Sequence, residues 1–257
     1  MEEMEREKKE LAAVRVEDLC AGYGERVLLS HITFSIKKES IVTILGPSGC
    51  GKSTLLKHLI GLKKPLSGAI YLSGKNIADL EEEEMGKVMS SFGVAYQGGA
   101  LFRSLSVAEN VALPMEEYTT MSREEIREKV AEKLKMVNLD GFQNLMPSDL
   151  SGGMIKRVAF ARAMALDPPI LFFDEPSAGL DPVSSANLDE LILEIREKTR
   201  STIVVVTHEL DSIFRISDRS LMLDPEKKNI IADGLPEDLR KNSPEEKVRF
   251  FLNRGKL

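Results

Sequence analysis

The fold of this chain is decided by one stretch, Gly46-Pro47-Ser48-Gly49-Cys50-Gly51-Lys52-Ser53-Thr54. An apolar run at 41–45 comes directly before it, and residues 55–60 after it are apolar at helical spacing. A strand, a glycine-rich loop and a helix in this order form the context that a phosphate-binding loop requires. The spacing G-x-x-x-x-G-K-S in that context predicts such a loop rather than an ordinary turn between a strand and a helix.

The residue types of this loop suit a phosphate group. Its glycines allow a tight turn whose N–H groups surround an anion, and the helix that begins near Lys52 adds the positive end of its dipole. The Lys52 ammonium can reach the outer phosphates, and the Ser53 hydroxyl can ligate Mg²⁺. We therefore expect residues 46–54 to bind a nucleotide.

Length and composition place the chain among soluble globular proteins. It has 257 residues, of which 42% are hydrophobic and 30% charged, enough for one large domain or a domain with an inserted lobe. No apolar run approaches the ~18 residues that a membrane helix needs. Residues 1–10 are mostly charged, which excludes a secretory signal and predicts a solvated end or a short charged helix.

Charge and cysteine usage narrow the possible partners. The net charge is −6, and no basic stripe with interleaved aromatic residues occurs, so we expect no nucleic-acid partner. Cys50 lies inside the glycine-rich loop, where a disulfide with Cys20 would obstruct the site, and this fits a reducing cytosol. Neither the cysteines nor the three histidines have the spacing of zinc ligands.

Alternating strand and helix patterns predict an α/β domain. The apolar segments 170–173 and 202–206 read as buried strands, separated by a helix with Asp181 at its N-cap and Pro182 at its first position. Such units form a mostly parallel sheet through right-handed connections. Alternating segments at 14–20, 32–36 and 69–72, with a turn at 21–26, predict antiparallel strands before and after the glycine-rich loop.

The middle and the end of the chain have a different character. Residues 97–163 read as a helical insertion, in which capping boxes predict helix starts at Ser106 and Ser122 and another helix covers 155–164. The segments 221–223 and 229–232 predict a terminal hairpin. A third capping box, at Ser243 and Glu246, predicts a final short helix.

Two adjacent carboxylates follow the apolar strand at 170–173. In an open α/β sheet the carboxyl ends of the strands are where ligands bind. Asp174 suits Mg²⁺ or its bound water, and Glu175 suits a base that orients an attacking water. An Asp-Glu pair alone is also common in solvated loops, so the interpretation depends on the phosphate-binding loop elsewhere in the chain.

A second possible anion site lies at Ser151, Gly152 and Gly153, directly before a predicted helix. A serine and two glycines at a helix N-terminus bind anions by the same physics as the first loop. One nucleotide does not need two such sites on one subunit. We therefore expect this segment to meet the γ-phosphate held by another subunit, although a simple helix cap is the alternative from these residues alone.

With these motifs in place, the chain resembles the nucleotide-binding subunits of ABC transporters. The resemblance covers about residues 14–234 and all motifs occur in the family order. It implies ATP and Mg²⁺ as cofactors and a homodimer in the ATP-bound state. The family's LSGG signature corresponds to Leu150-Ser151-Gly152-Gly153. The next residue is Met154, where glutamine is more usual. The resemblance also implies binding roles: adenine stacking for Tyr23, and metal binding for Ser53, Gln97 and Asp174. For catalysis it implies a role for Gln97, a base at Glu175 and a switch histidine at His208. Asp181 would belong to the family's D-loop.

The resemblance also implies the fold: a P-loop NTPase core of the ABC ATPase type, with a mostly parallel sheet, an antiparallel β subdomain and an inserted helical subdomain. We expect one ABC ATPase domain at 14–235, with the helical subdomain at about 97–163, and a short helical tail at 236–257.

Within this family the chain is similar to the ATPases of the Mla/Mce lipid-transport systems. The similarity rests on the segments 96–102, 146–154 and 248–252. It implies phospholipid transport through a MlaE-type permease, a periplasmic Mce-domain protein beyond the membrane and, in some members, a STAS-domain partner. The chain would then be cytoplasmic and peripheral on the inner membrane. Leu101 and Phe102, apolar residues in a predicted loop, would contact the permease, with packing inside the helical lobe as the alternative.

Two other functions remain open from the sequence. The chain could serve an ABC importer or exporter of another substrate. A non-transport ABC protein acting on ribosomes or DNA is a candidate of a different class, but such proteins usually carry two cassettes or a coiled-coil insertion, and this chain has one phosphate-binding loop.

Overall fold

The computed structural model describes residues 12–24, 26–78, 80 and 82–256, apart from the side chains at 82, 83, 85 and 87. The expectation for residues 1–10 therefore lies outside the described residues. The chain divides into two compact units. The first comprises Met1–Val88 and Thr202–Leu257, and the second comprises Met89–Ser201.

The first part of the first unit contains an antiparallel sheet and the strand–loop–helix segment. The sheet has the strand order β2-β1-β4-β5, and its buried face carries Val14, Val16 and Ile32. The elements are β1 (Ala12–Tyr23), β2 (Arg26–Lys37), β3 (Ile41–Leu45), α1 (Lys52–Leu59), β4 (Ser67–Leu72), β5 (Lys75–Asn76) and α2 (Glu82–Met89).

The turn predicted at 21–26 is too long. Ala21 and Gly22 continue β1, where they pair with Leu29 and Val27 of β2. A Cβ atom on Gly22 would lie 2.0 Å from the carbonyl oxygen of Arg26, so only glycine lets the two strands stay this close. The helix α2 was not predicted: its sequence opens on consecutive glutamates and contains Gly86, which weakens a helix pattern.

The second unit combines helices with one pair of parallel strands. Its elements are β6 (Phe92–Ala95), α3 (Val107–Tyr118), α4 (Arg123–Met136), a 3₁₀ turn (Pro147–Asp149), α5 (Gly152–Ala163), β7 (Ile170–Asp174) and α6 (Pro182–Thr199). Strands β6 and β7 are parallel, with Ala95 opposite Phe173. The capping boxes at Ser106 and Ser122 are confirmed, and α5 begins earlier than predicted because Ser151 caps it.

The rest of the first unit adds strands on both sides of β3. Its elements are β8 (Thr202–Val206), α7 (Leu210–Ile216), β9 (Arg219–Asp224), β10 (Asn229–Gly234), α8 (Pro236–Asn242) and α9 (Glu246–Leu252). Within this unit the order is β10-β9-β3-β8, where β3 is parallel to both β8 and β9, and β9 and β10 form the predicted hairpin. The predicted α/β fold with an antiparallel sheet and a mostly parallel sheet is confirmed.

The final helix departs from its prediction at one end. Glu245 stands at the N-cap of α9 without a side-chain hydrogen bond, and Ser243 instead follows the end of α8, so the third capping box is wrong. The apolar side chains of Val248 and Leu252 share a buried cluster with Leu45, Ile213 and Met222. Among the described residues, no helix is long and apolar enough to cross a membrane.

Candidate nucleotide site

The glycine-rich loop connects β3 to α1 in a conformation that requires its glycines. Gly46, Gly49 and Gly51 have φ angles of 145°, 81° and 104°, in the region that favours glycine. A Cβ atom on Gly46 would also lie 2.6 Å from the carbonyl oxygen of Leu223. No described side chain caps α1, whose first N–H groups have no partner within the helix. The loop is therefore shaped as a backbone cradle for an anion.

The Lys52 side chain turns back over this loop. Its ammonium donates hydrogen bonds to the carbonyl oxygens of Gly46 at 2.8 Å and Pro47 at 3.2 Å. The side chain is buried, whereas Ser53 on the same turn is exposed. The loop therefore carries the Lys52 ammonium and the exposed Ser53 hydroxyl beside the space in which an anion would bind. Burial raises the pKa of the neighbouring Cys50 thiol, which favours its neutral form.

Tyr23 lies at the end of β1, in the same unit as the loop. Its ring is 41% exposed, and the Lys63 ammonium stands 4.2 Å from the ring centroid. A hydrogen bond with the Thr54 side chain lowers the pKa of the Tyr23 phenol, so the ring is next to the phosphate-binding loop. Lys63 is held in turn by the buried His58, whose Nδ1 donates to the Lys63 carbonyl oxygen at 2.9 Å. Neither Lys63 nor His58 was predicted from the sequence as part of the site.

His208 follows β8 in the same unit. Ile44 of β3 pairs in parallel with Val206 of β8, so Gly46 and His208 each come two residues after a paired position. Parallel strands end at the same edge of a sheet, and the histidine therefore stands on the ligand edge beside the loop. Its side chain is about half exposed, with Nε2 3.7 Å from Glu209 Oε1.

The second unit holds Gln97, Asp174 and Glu175. The pairing of Ala95 with Phe173 places Gln97 and Glu175 at equivalent positions beyond the ends of β6 and β7. The Glu175 side chain is buried, and its φ of 46° lies in the left-handed region, where a non-glycine residue is uncommon. Such backbone strain is often found at functional sites.

Sequence reasoning missed Lys156 of α5, which contacts two of these residues. Its buried ammonium donates to the carbonyl oxygen of Gln97 and to that of Glu175 at 3.4 Å. Burial lowers the pKa of Lys156, while the charges of Asp174 and Glu175 oppose that shift. No motif or spacing in the sequence singles out Lys156, because its partners are backbone carbonyl groups.

The residues Ser151, Gly152 and Gly153 begin α5 in the second unit. Ser151 Oγ accepts a hydrogen bond from the Met154 N–H at 3.3 Å, while Ser151 and Gly152 are exposed. Asp181 caps α6 by accepting from the N–H groups of Val183 and Ser184, each at 3.0 Å. The hydrogen bonds with Ser184 lower the pKa of the exposed Asp181 carboxyl.

Leu101 and Phe102 stand in the loop between β6 and α3. Phe102 is 53% exposed, so it is not a core residue, and Leu101 lines a cavity of about 320 Å³ with Pro147 and Ile155. The buried Asn110 fixes the loop: its side chain accepts from the Phe102 N–H at 2.8 Å and donates to the Phe102 carbonyl at 3.0 Å. Asn110 was not singled out from the sequence.

The fold and the loop define a P-loop nucleotide-binding protein. The chain matches the sequence model of the ABC transporter family over residues 29–178, more than half its length, and it belongs to this family. It is an ATP-binding subunit of an ABC transporter, and it is an ATPase.

The chain is similar to several curated transport proteins. It is 39% identical over 241 residues to the probable ribonucleotide transport ATP-binding protein mkl of Mycobacterium leprae, covering 94% of this chain and 69% of the relative. It is 39% identical over 238 residues to the intermembrane phospholipid transport system ATP-binding protein MlaF of Haemophilus influenzae, covering 93% and 89%. The MlaF protein of Escherichia coli K12 is 37% identical over 240 residues, covering 93% and 88%.

Solved structures of ABC cassettes have the same fold. The dimeric, post-hydrolysis structure of the ATP-binding cassette MJ0796 with ADP and Pi has a TM-score of 0.78 and 33% identity, covering 86% of this chain and 98% of that one. CbiO1 of Clostridium perfringens, part of an ABC transporter complex, has a TM-score of 0.82 and 30% identity, covering 95% and 96%.

Proposed function

We propose that this ATPase powers phospholipid transport between membranes through a MlaE-type permease. The observation that carries the proposal is the similarity to two MlaF proteins over 88–89% of their length. Under this proposal the chain is cytoplasmic and peripheral on the inner membrane. A periplasmic Mce-domain protein is a further partner through the complex, a STAS-domain protein is another candidate, and nucleic acid is not a partner.

A second candidate is an ABC transporter of another substrate, and ribonucleotides are the specific case. The mkl protein of Mycobacterium leprae is as similar to this chain, at 39% identity, as the first MlaF protein is. Sequence identity alone therefore does not separate the two substrates. The lipid is favoured by the segments 96–102, 146–154 and 248–252, which carry the similarity to the Mla/Mce ATPases. A non-transport function on ribosomes or DNA has no comparable support.

The test is substrate-stimulated ATP hydrolysis by the complex of this chain with the permease that co-purifies with it. The complex is reconstituted in vesicles of phosphatidylethanolamine and phosphatidylglycerol, or kept in detergent without lipid. We expect phospholipid to raise phosphate release and ribonucleotides to leave it unchanged. Stimulation by ribonucleotides alone would favour the second candidate. Co-isolation with ribosomes instead of a permease would contradict both.

In the proposed mechanism the loop at 46–54 holds the ATP phosphates with its N–H groups, and Lys52 adds a point charge. Tyr23 stacks on the adenine. Ser53, Gln97 and Asp174 offer hydroxyl, amide and carboxylate oxygens, the hard ligands that suit Mg²⁺. When bound, Mg²⁺ neutralises charge on the phosphate oxygens and orients them.

For hydrolysis we assign the attacking water to Glu175. Its carboxylate would orient the water and accept its proton, while His208 contacts the γ-phosphate and Gln97 completes the site. The buried position of Glu175 and the strained backbone that fixes it support this role. The exposed His208 stands on the same sheet edge as the loop, which supports its role.

We further propose that ATP closes a homodimer. MJ0796 forms a dimer in its structure with ADP and Pi. In this chain the exposed Ser151 and Gly152, and Gly153 beside them, present a helix N-terminus to solvent, which suits the γ-phosphate held by the other subunit. Asp181 of the D-loop would lie at the same interface.

A further inference from the structure

We propose that Lys156 is a positioning residue for hydrolysis: it ties the backbone of Glu175 to that of Gln97 and so fixes the direction of the Glu175 carboxylate. The proposal rests on the role assigned above to Glu175. Lys156 itself touches neither the nucleotide nor the water in this assignment. It acts through the two carbonyl groups that it contacts.

The contacts of Lys156 are unusual for a lysine. Its side chain is 7% exposed, and the ammonium donates to the carbonyl oxygens of Gln97 and Glu175. A buried ammonium is costly unless it is hydrogen-bonded, and charge-assisted hydrogen bonds are the stronger kind. The bonds therefore hold both carbonyl groups in fixed positions relative to α5.

The register of the parallel strands explains why one lysine reaches both groups. Ala95 lies opposite Phe173, so Gln97 and Glu175 occupy equivalent places after the two strands end. The register of β6 and β7 ends at this pair, two residues before Gln97 and Glu175. Lys156 connects the two segments there from α5.

The Glu175 backbone needs such a connection, because its φ of 46° is strained for glutamate. The Glu175 carbonyl oxygen accepts from the Ala178 N–H at 3.2 Å and from Lys156 at 3.4 Å. A strained conformation persists only where its surroundings determine it. The bond from Lys156 is one of the contacts that hold this turn, and its removal would loosen it.

The Gln97 loop is attached to α5 at further points. Arg162 donates to the carbonyl oxygens of Gly99 and Ala100, each at 2.7 Å. A Cβ atom on Gly99 would lie 2.5 Å from the Ile155 side chain, so the loop backbone rests directly on α5. These contacts attach residues 99–100 of the loop to α5. Lys156 extends this attachment to Glu175.

The first test is the steady-state kinetics of the purified full chain carrying Lys156→Met, a change that keeps an unbranched side chain without its donors. We expect kcat to fall on the order of 10²-fold, the scale of a small misplacement of a reacting group. The KM for ATP should change less than about threefold, because the loop at 46–54 is untouched. Lys156→Arg, which keeps charge and donors, should recover part of kcat.

A matched control is Lys133→Met on α4. Lys133 is also buried, but its ammonium bonds to Glu132 at 2.9 Å and to Asp167 instead of to Gln97 and Glu175. This variant should lose thermal stability with kcat unchanged. An equal loss of kcat in Lys133→Met and Lys156→Met would reduce the effect of Lys156 to general destabilisation and overturn the proposal.

A double-variant cycle separates this proposal from the role of Glu175. If Lys156 acts through Glu175, adding Lys156→Met to Glu175→Gln should lower kcat no further. Wild-type turnover in Glu175→Gln would refute the catalytic role itself. Loss of turnover in Glu175→Gln with wild-type kcat in Lys156→Met would overturn only the positioning role. Should Lys156→Met not fold, Lys156→Leu, which also lacks donors, decides by the same kcat criterion.

Discussion

At the scale of single residues, the candidate site combines side chains that the sequence revealed with side chains that it hid. Lys52, Glu175 and His208 stand in motifs, and each has a local signal. Lys156 and Asn110 have none, because their partners are backbone carbonyl groups rather than recognisable side chains. Lys156 bonds to a residue 59 positions earlier in the chain. Spacing patterns in one sequence do not show such pairs.

Glu175→Gln should bind ATP but lose most turnover, with a fall on the order of 10²-fold or more, the scale of a general base. Binding survives because the loop and Lys52 hold the phosphates, whereas water orientation acts on the transition state. The variant should accumulate as a closed dimer with ATP and Mg²⁺ in size-exclusion chromatography.

A matching variant, His208→Ala, should also lose turnover, with less complete dimer closure. A phosphate-release assay run beside the chromatography measures both. Failure of Glu175→Gln to bind ATP would mean that the site is misplaced.

Tyr23→Ala should weaken ATP binding several-fold while leaving kcat close to wild type. Stacking of the exposed ring on adenine should contribute about 1 kcal/mol, by analogy with aromatic pairs. Titration of ATP against the two proteins, followed by calorimetry, gives the affinities. Tyr71→Ala is a suitable control, because the Tyr71 ring contacts Arg15 on the antiparallel sheet instead. Equal ATP affinity in Tyr23→Ala and wild type would remove the stacking role.

At the scale of elements, the sequence predicted features that depend on neighbouring residues, such as helix starts, better than features that depend on contacts between segments. The helix starts at Ser106 and Ser122 are correct because a capping box closes within four consecutive residues. The same pattern failed at Ser243, where the chain first ends α8. The hairpin of β1 and β2 is longer than predicted because Gly22 permits close strands, a property of the pair rather than of either segment.

A prediction at this scale concerns the loop that carries Leu101 and Phe102. Phe102→Asp should abolish association with the permease without lowering the melting temperature, because the ring is half exposed and packs little against the lobe. Co-purification from membranes and a thermal melt measure the two effects. Tyr118→Asp, also on an exposed aromatic ring of the same unit, is the control and should keep association. A Phe102→Asp protein that unfolds, or that still co-purifies, would refute the contact.

At the scale of the whole molecule, the site residues named from the sequence belong to both compact units. The first carries Tyr23, the loop at 46–54 and His208, and the second carries Gln97, Glu175 and the segment from Ser151. The sequence predicted this grouping in part: the predicted helical insertion at 97–163 contains Gln97 and Ser151, whereas the second unit at 89–201 also includes Glu175.

Hydrolysis should therefore require a dimer with sites shared between subunits. Lys52→Ala and Ser151→Ala should each be inactive alone, because each removes one half of both sites. Mixing them creates heterodimers that keep one site with an intact Lys52 and an intact Ser151. Phosphate release should rise on mixing and should depend on protein concentration. No activity in the mixture, together with wild-type activity that is independent of concentration, would contradict the shared site.

The packing of α9 has a consequence for how the protein is made. Val248 and Leu252 share their cluster with Leu45, the residue directly before the glycine-rich loop. During translation the glycine-rich loop leaves the ribosome long before α9 is synthesised. The cluster around Leu45, next to the loop, therefore stays incompletely packed until α9 is made. A nascent chain stalled before residue 246 should therefore hold ATP poorly.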